Sequence, residues 1–380
     1  MRILYISNSS KVSGAPAALL NLIELLKDRH EVAVVLPDAS GPLFRILSDM
    51  GVKCHCDMPY GLTIWPRVLN PIKYIRRIHD LAVGLDKVRS YVGKIIDEFR
   101  PDIVHTNVGP LDLALKECRK RGIPHVWHLR EYQYGMRFWP SRGNFIGKIH
   151  SYGNWNIAIT DCVHDHWLLT GNDPVIYDGV KSADRIRPFN DAPEPWFLYV
   201  GRIEKNKGLI ELLKAFSRYR KAGGKAVLKI AGRPSLMYGL RCRLYAELAG
   251  LAPYVDFLGH CDDVRGLMEK AMATVVSSRT EGFGLVAVEA MLAGCLVIGK
   301  DTTGMKEQFD IGLDYTGEEI GLRYTDVPEL AALLSRVEDG YASFGDMRER
   351  AFRTVAAKYR PEVCAAEVED YYNKILEGRI

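Results

Sequence analysis

The chain alternates between two hydrophobic periods along its whole length, and that alternation restricts the possible folds more than any other feature. Short apolar runs of strand length occur at residues 3–6, 32–36, 52–56, 103–105, 125–129, 156–160 and 175–177. Helical stripes lie between them. Leu19, Leu22, Ile23 and Leu26 follow Pro16, and Val88, Val92, Ile95, Ile96 and Phe99 run up to Pro101. Strand followed by helix, repeated, predicts a parallel sheet with helices on both faces. The stretch 185–196, RIRPFNDAPEPW, holds three prolines and no periodicity, so it reads as a linker. The pattern then restarts, with strands at 196–200, 227–231, 255–258, 274–277 and 296–298 and a helix carrying Leu209, Leu212, Leu213 and Phe216. At 380 residues two cores are expected rather than one. The expectation is α/β: two doubly wound, Rossmann-like domains at 1–184 and 196–358, joined at 185–195. Ligands of such sheets bind beyond the carboxyl ends of the strands, so two facing edges would form an interdomain cleft.

Composition excludes several classes. Hydrophobic residues at 47% and charged residues at 26% are those of a soluble globular protein. A net charge of +4 gives no support to nucleic-acid binding. The eight cysteines are scattered, and the one dense group, Cys54-His55-Cys56, lacks a second ligand pair at zinc spacing. No metal site is expected. Free thiols in apolar stretches point to a reducing cytoplasm. The first residues read as a strand rather than a signal peptide, and no apolar run reaches the roughly 18 residues of a membrane span. Any membrane contact would be peripheral.

The run SSRTEGFGLVAVEAMLAGCLVIG, residues 277–299, carries two carboxylates in apolar, glycine-marked surroundings. A strand at 274–276 leads into a turn at 279–284 and a helix at 285–292. Gly282 and Gly284 let a ligand approach the backbone, and the unpaired N–H groups at the helix start favour a phosphate. Glu281 then lies in the turn at the strand's carboxyl end. Glu289 lies about one turn into the helix, placed to accept both hydroxyls of a ribose. Taken alone, Glu281 is equally well an acid favoured by the helix dipole and Glu289 a solvated helix residue. A second stretch, residues 199–216, ends a strand with Gly201-Arg202 and sets Lys207-Gly208 before a helix. Its two cations suit a diphosphate, Arg as a fork and Lys as a point charge.

Taken together these residues resemble the retaining nucleotide-sugar glycosyltransferases of the GT-B fold, family 4 in particular. The matching elements, in the family's order, are Gly201-Arg202…Lys207-Gly208, Ser278-x-x-Glu281-Gly-Phe-Gly-Leu…Glu289-Ala…Gly294 and Gly304-x-x-Glu307. The resemblance implies a nucleotide-sugar donor. Arg202 and Lys207 are similar to the pair that holds the donor diphosphate, and Glu281 to the glutamate that contacts the sugar. Gly282 and the amides of Phe283, Gly284 and Leu285 resemble those touching sugar and phosphate, and Glu289 resembles the ribose ligand. In the first domain, Gly14 matches a glycine of the loop after the first strand, and His128 looks like the active-site histidine. Ala15, Asn107, Arg130 and Glu131 are expected near acceptor or sugar. The resemblance also implies that a C-terminal helix, 361–378, completes the first domain. Two departures bear on acceptor geometry. Ser13-Gly14-Ala15-Pro16 stands where two adjacent glycines are common, and Tyr177-Asp178-Gly179-Val180 where Asn-Gly-Val is frequent.

Cleaving a sugar–phosphate bond builds negative charge on the diphosphate. The sequence has no D-x-D to hold a divalent cation, so Arg202, Lys207 and the helix dipole are expected to supply the counter-charge, without metal or cofactor. The family's front-face displacement, retaining anomeric configuration, is the implied mechanism, with a UDP- or GDP-sugar as donor. For the acceptor, residues 65–94 carry seven Arg or Lys against two Asp, interleaved with Leu69, Ile72, Ile75, Ile78 and Leu81. Such a face suits an anionic membrane surface. Residues 132–155 mix aromatics with Arg137, Arg142 and Lys148, as sugar-stacking or headgroup-level segments do. The expected acceptor is a glycan or lipid-linked glycan of cell-envelope, capsule or exopolysaccharide biosynthesis, at the inner membrane face. Other classes fit less well. A dehydrogenase needs G-x-G-x-x-G after the first strand, where only Gly14 stands. A non-catalytic nucleotide-sugar-binding or scaffold protein, a nucleotide-sugar epimerase or a glycan phosphorylase would share the architecture.

Overall fold

A computed structural model describes residues 1–12, 14–56, 70–109, 111–132, 141–181 and 189–380. The chain forms two compact units, Met1–Lys181 with Pro361–Ile380, and Ser182–Arg360.

The first unit runs β1 (Arg2–Ile6), α1 (Ala15–Leu26), β2 (Glu31–Val35), α2 (Pro42–Asp49), β3 (Lys53–His55), α3 (Pro71–Phe99), β4 (Ile103–Thr106), α4 (Leu115–Arg121), β5 (His125–Leu129), α5 (Arg142–Ile149), β6 (Asn154–Ala158) and α6 (Asp161–His166). Its sheet is parallel, in the order β3-β2-β1-β4-β5-β6. The second unit runs β7 (Glu194–Val200), α7 (Leu209–Lys221), β8 (Val227–Ala231), α8 (Leu236–Leu248), β9 (Val255–Gly259), α9 (Val264–Lys270), β10 (Ala271–Val276), α10 (Leu285–Leu292), β11 (Leu296–Lys300), α11 (Thr303–Thr316), β12 (Leu322–Tyr324), α12 (Val327–Gly340) and α13 (Gly345–Lys358). Its order, β12-β11-β10-β7-β8-β9, repeats the first arrangement strand for strand. Each sheet reverses its winding beside its first strand, at β1/β4 and at β7/β10. That crevice is where doubly wound sheets bind ligands.

Period-two alternation sorts the first core into two layers. Ile3, Tyr5, Val32 and Val34 pack with α1, α2 and the final helix α14 (Pro361–Leu376). Leu4, Ile6, Ala33 and Val35 pack with Val88, Val92, Ile95 and Ile96 of α3 and with α4. The doubly wound α/β expectation is therefore met in both units. Helix α14 belongs to the first unit through Cys364, Ala365, Val368, Tyr371, Tyr372 and Ile375.

Three local expectations need correction. Residues 175–177 form no strand, only an isolated bridge from Val175 to Ala158. Pro174 before them and Gly179 after them leave too short a run. Strand β7 starts at Glu194, earlier than expected, with Pro195 inside it. The β7/β10 register shifts between Ala271 and Ala273, opposite that proline, and a ladder irregularity is where a strand accommodates a residue without N–H. Strand β12 was not anticipated, because Arg323 separates Leu322 from Tyr324 and leaves no apolar run to mark it. Residues 185–188 of the linker lie outside the described residues.

Candidate functional site

In the second unit three loops at the carboxyl ends of β7, β10 and β11 are stitched together. Gly208 makes the first contact possible. Its φ is 70°, and a Cβ there would stand 1.8 Å from the Ser277 carbonyl oxygen, so any side chain would push the two loops apart. With glycine they close. Ser277 Oγ donates to the Lys207 carbonyl at 3.0 Å, and Arg279 N to the Asn206 carbonyl at 2.8 Å. Asn206 Nδ2 donates to the Thr280 carbonyl at 3.1 Å. The loop after β11 closes on the other side. Thr303 Oγ1 accepts from Glu281 N at 2.9 Å, and Gly304 N donates to the Glu281 carbonyl at 3.1 Å. A Cβ on Gly304 would lie 2.4 Å from the Gly282 oxygen. Glu281 is thus fixed by its backbone on both sides, and its Oε1 meets Lys207 Nζ at 2.6 Å.

Helix α10 begins beside this pair. Gly284 at its N-cap has φ 87° and no side-chain cap, which leaves the helix's positive end uncapped by any side chain. Gln308 Nε2 donates to the Phe283 carbonyl, and the Phe283 ring meets Tyr359 edge-on at 5.0 Å. Arg202 lies on the same loop as Lys207 with its guanidinium exposed and paired to Glu204 at 2.9 Å. Glu289 stands one turn into α10, open to solvent on one side. The chain crowded around it pushes its carboxyl pKa up by desolvation, although the group remains accessible. So the structure joins Glu281 to Lys207, sets Gly282, Phe283, Gly284 and Leu285 at the helix start, and leaves Arg202 and Glu289 as outward-facing groups. Asn206, Thr280 and Thr303 hold the loops and carried no local signal.

In the first unit a second set gathers at the ends of β4 and β5. Gly14, with φ 55°, precedes α1, and Asn107 Nδ2 donates to the Ala15 carbonyl at 2.9 Å. Arg130 Nε donates to the Asn107 carbonyl at 3.1 Å and Arg130 Nη2 to His128 Nδ1 at 3.1 Å. Arg130 Nη1 forms a buried ion pair with Asp178. Glu131 Oε2 accepts from Gly109 N at 3.3 Å. Burial, then the nearby Arg130 and His105, hold the His128 pKa well below its ordinary value, so the ring is neutral. Because Nδ1 accepts from Arg130, the hydrogen-bond network assigns the ring proton to Nε2. That Nε2 and the Asn107 Oδ1 are buried without a partner among the described residues. Asp178, noted in the sequence only as a departure, is thus part of this set.

The basic stretch is divided. Residues 65–69 lie outside the described residues. Asn70 caps α3, its Oδ1 accepting from Ile72 N at 3.0 Å and Lys73 N at 3.1 Å. The helix's first half leaves Ile72, Ile75, Arg76 and Arg77 exposed, and Leu85 is the first buried side chain of α3 among the described residues. In the aromatic segment, 133–140, with Arg137, lies outside the described residues. Its remainder is partly packing: Phe145 stacks edge-on against Trp127 at 5.1 Å, and Lys148 pairs with Asp112. Among the described residues no helix is long and apolar enough to cross a membrane, and no three His, Cys, Asp or Glu side chains are grouped to hold a metal ion.

Two doubly wound parallel units of this kind are the architecture of the GT-B fold. Residues 13–188 match the family described as glycosyl transferase 4-like domain, and residues 181–348 match glycosyl transferases group 1. The chain belongs to the GT-B glycosyltransferases of family 4 type. It is 34% identical over 278 residues to the glycogen synthase of Mycobacterium tuberculosis (strain ATCC 25618 / H37Rv), covering 67% of this chain and 64% of that protein's length. It is 27% identical over 315 residues to the phosphatidyl-myo-inositol mannosyltransferase of Mycolicibacterium smegmatis, covering 76% of this chain and 72% of the relative. In fold it resembles Anabaena Alr3699/HepE, solved in complex with UDP, with TM-score 0.74 and 18% identity over 98% of this chain and 100% of that one.

Proposed function

We propose that this protein is a retaining, metal-independent glycosyltransferase. It would move a sugar from a UDP- or GDP-sugar onto a hydroxyl of a glycan or lipid-linked glycan in cell-envelope, capsule or exopolysaccharide biosynthesis. The observation that carries the reading is the Lys207–Glu281 pair beside the uncapped start of α10. A nucleoside diphosphate needs cations and unpaired N–H groups where its charge develops. Lys207, the exposed Arg202 and the α10 dipole supply them. Glu281 faces the positive charge that builds on the sugar and orients it. The acceptor hydroxyl attacks on the face the phosphate leaves, and its proton passes to the departing phosphate oxygen, so anomeric configuration is kept. Neutral His128 offers its Nε2–H to a substrate hydroxyl.

A lipid-linked acceptor is supported by the name of the mycobacterial phosphatidyl-myo-inositol mannosyltransferase and by the exposed basic half of α3, which suits an anionic inner membrane face. The test is a panel of UDP-, GDP- and ADP-sugars read by thermal shift, since a ligand bound only by the native state raises its stability. NMR of the anomeric proton in the product follows, with and without EDTA. An inverted anomer or a strict Mg²⁺ or Mn²⁺ requirement would refute the mechanism. Binding of a donor with neither hydrolysis nor transfer would mean a non-catalytic protein.

A further inference from the structure

Helix α8 is apolar on two opposite faces, and only one of them is covered. Gly239, Cys242 and Ala246 are buried against the second unit's core. On the far side Leu236, Met237, Leu240, Leu244 and Leu248 form a row one turn apart, with exposures from 54% at Leu244 to 80% at Leu248. Contiguous exposed apolar rows mark interaction surfaces. Scattered leucines need no explanation, but five along one face of one helix do.

The charges bordering the row indicate what covers it. Arg233, Arg241 and Arg243 are exposed there, against the single acid Glu247. Arg243 lies over the Phe257 ring of the edge strand β9, 4.4 Å from its centroid. A second copy fits badly. The antiparallel register that matches Leu236 to Leu248 and Leu240 to Leu244 sets Arg241 against Arg243, and a parallel register sets each arginine against itself. A row of aliphatic side chains interrupted by one acid, Glu247, and accompanied by three arginines fits acyl chains below and anionic headgroups beside them. We propose that the outer face of α8 seats this protein on an anionic lipid surface.

The position of α8 gives this seat a use. Ser235, its N-cap, donates through N and Oγ to the Ile203 carbonyl at 3.2 and 3.0 Å, and Ile203 directly follows Arg202. A membrane on α8 therefore lies beside the loop that carries Arg202 and Lys207, where a lipid-linked acceptor has to arrive. This use rests on the proposed transferase reading, whereas the lipid contact itself does not.

The experiment is co-sedimentation of the full chain with phosphatidylglycerol/phosphatidylcholine vesicles and with phosphatidylcholine alone, at physiological salt. The parent should pellet with the anionic vesicles. The double variant Leu240→Gln/Leu244→Gln should lose roughly ten-fold in vesicle affinity while keeping the parent's melting temperature, because both side chains are already exposed. Arg241→Glu should weaken binding further at low salt. Arg76→Glu/Arg77→Glu, on α3, tests the other basic face separately, so failure of either surface is told from failure of the other. Parental sedimentation of the Leu240/Leu244 variant would overturn the proposal. So would a parent that ignores the vesicles but scatters light as a dimer that the variant dissolves.

Discussion

Lys207 Nζ and Glu281 Oε1 meet at 2.6 Å although their residues are 74 apart in sequence, and both side chains are mostly covered. Proximity of this kind must be built from the backbone, and it is. The β7 and β10 loops exchange hydrogen bonds through Asn206, Ser277, Arg279 and Thr280. On the proposed reading, this cation near the uncapped start of α10 would act on charge that appears during reaction. Lys207→Ala should lower kcat by roughly 10²–10³ with a smaller change in KM. Steady-state kinetics against donor concentration would check it. A rise in KM alone would make Lys207 a binding residue only.

Gly208 sets that geometry. Substitution by alanine combines a positive φ with a Cβ inside the Ser277 carbonyl's radius. Left-handed backbone alone costs an L-residue about 1–2 kcal/mol, and the contact adds to it. Urea unfolding of Gly208→Ala should show a loss of at least about 2 kcal/mol. An unchanged midpoint would mean that the loops adjust freely and that the Lys207–Glu281 distance is not fixed by them.

How far the sequence foretold all this depends on the range of each interaction. The β/α alternation is a local periodicity, so nearly every strand of four or more residues was legible, while the three-residue β12 was not. Glu281, Lys207 and the glycines 208 and 284 stood out because each lies in a short strand–turn–helix run that resembles a known family's, whereas the meeting of Lys207 with Glu281 across 74 residues was not legible. Thr303 and Asn206 did not stand out, since each holds a loop from a different strand. The same limit hid Asp178, whose partner Arg130 comes from the end of β5. It also hid the α8 surface. Leu240 and Leu244 read as core residues in any sequence pattern, and only the packing reveals that Cys242 and Ala246 face inward instead.

Glu289 offers a different test, because it is accessible and forms no ion pair among the described residues. If it accepts the ribose hydroxyls, it does so before and during reaction alike. Glu289→Ala should then weaken donor and free nucleoside diphosphate by the same factor, about ten-fold or more for a charged hydrogen bond. Calorimetric titration of both ligands would measure it. Equal affinity in variant and parent would remove Glu289 from the site.

The first unit's buried histidines make stability depend on pH. Burial is the main cause that lowers the pKa of His105 and His128 well below the ordinary value and that of His125 to about 4. Unfolded, all three titrate near 6.5. Below that pH the unfolded chain binds protons that the folded chain excludes, so the unfolded state gains and stability falls. Above it both states are neutral and the three histidines contribute no slope. Urea unfolding at pH 7.5, 6.0 and 5.0 should therefore show a fall on the acid side that steepens toward about 1.4 kcal/mol per pH unit for each histidine. His125 is the site to test singly. Its Nε2 contacts Thr106 Oγ1 at 2.8 Å and its Nδ1 contacts Asn154 Oδ1 at 2.5 Å, and none of these residues belongs to the set around His128. His125→Gln should reduce the acid-side slope by one histidine's share even though it lowers stability at every pH. A slope equal to the parent's would show that His125 takes up its proton without unfolding, and that its neutrality is no part of what holds the sheet together.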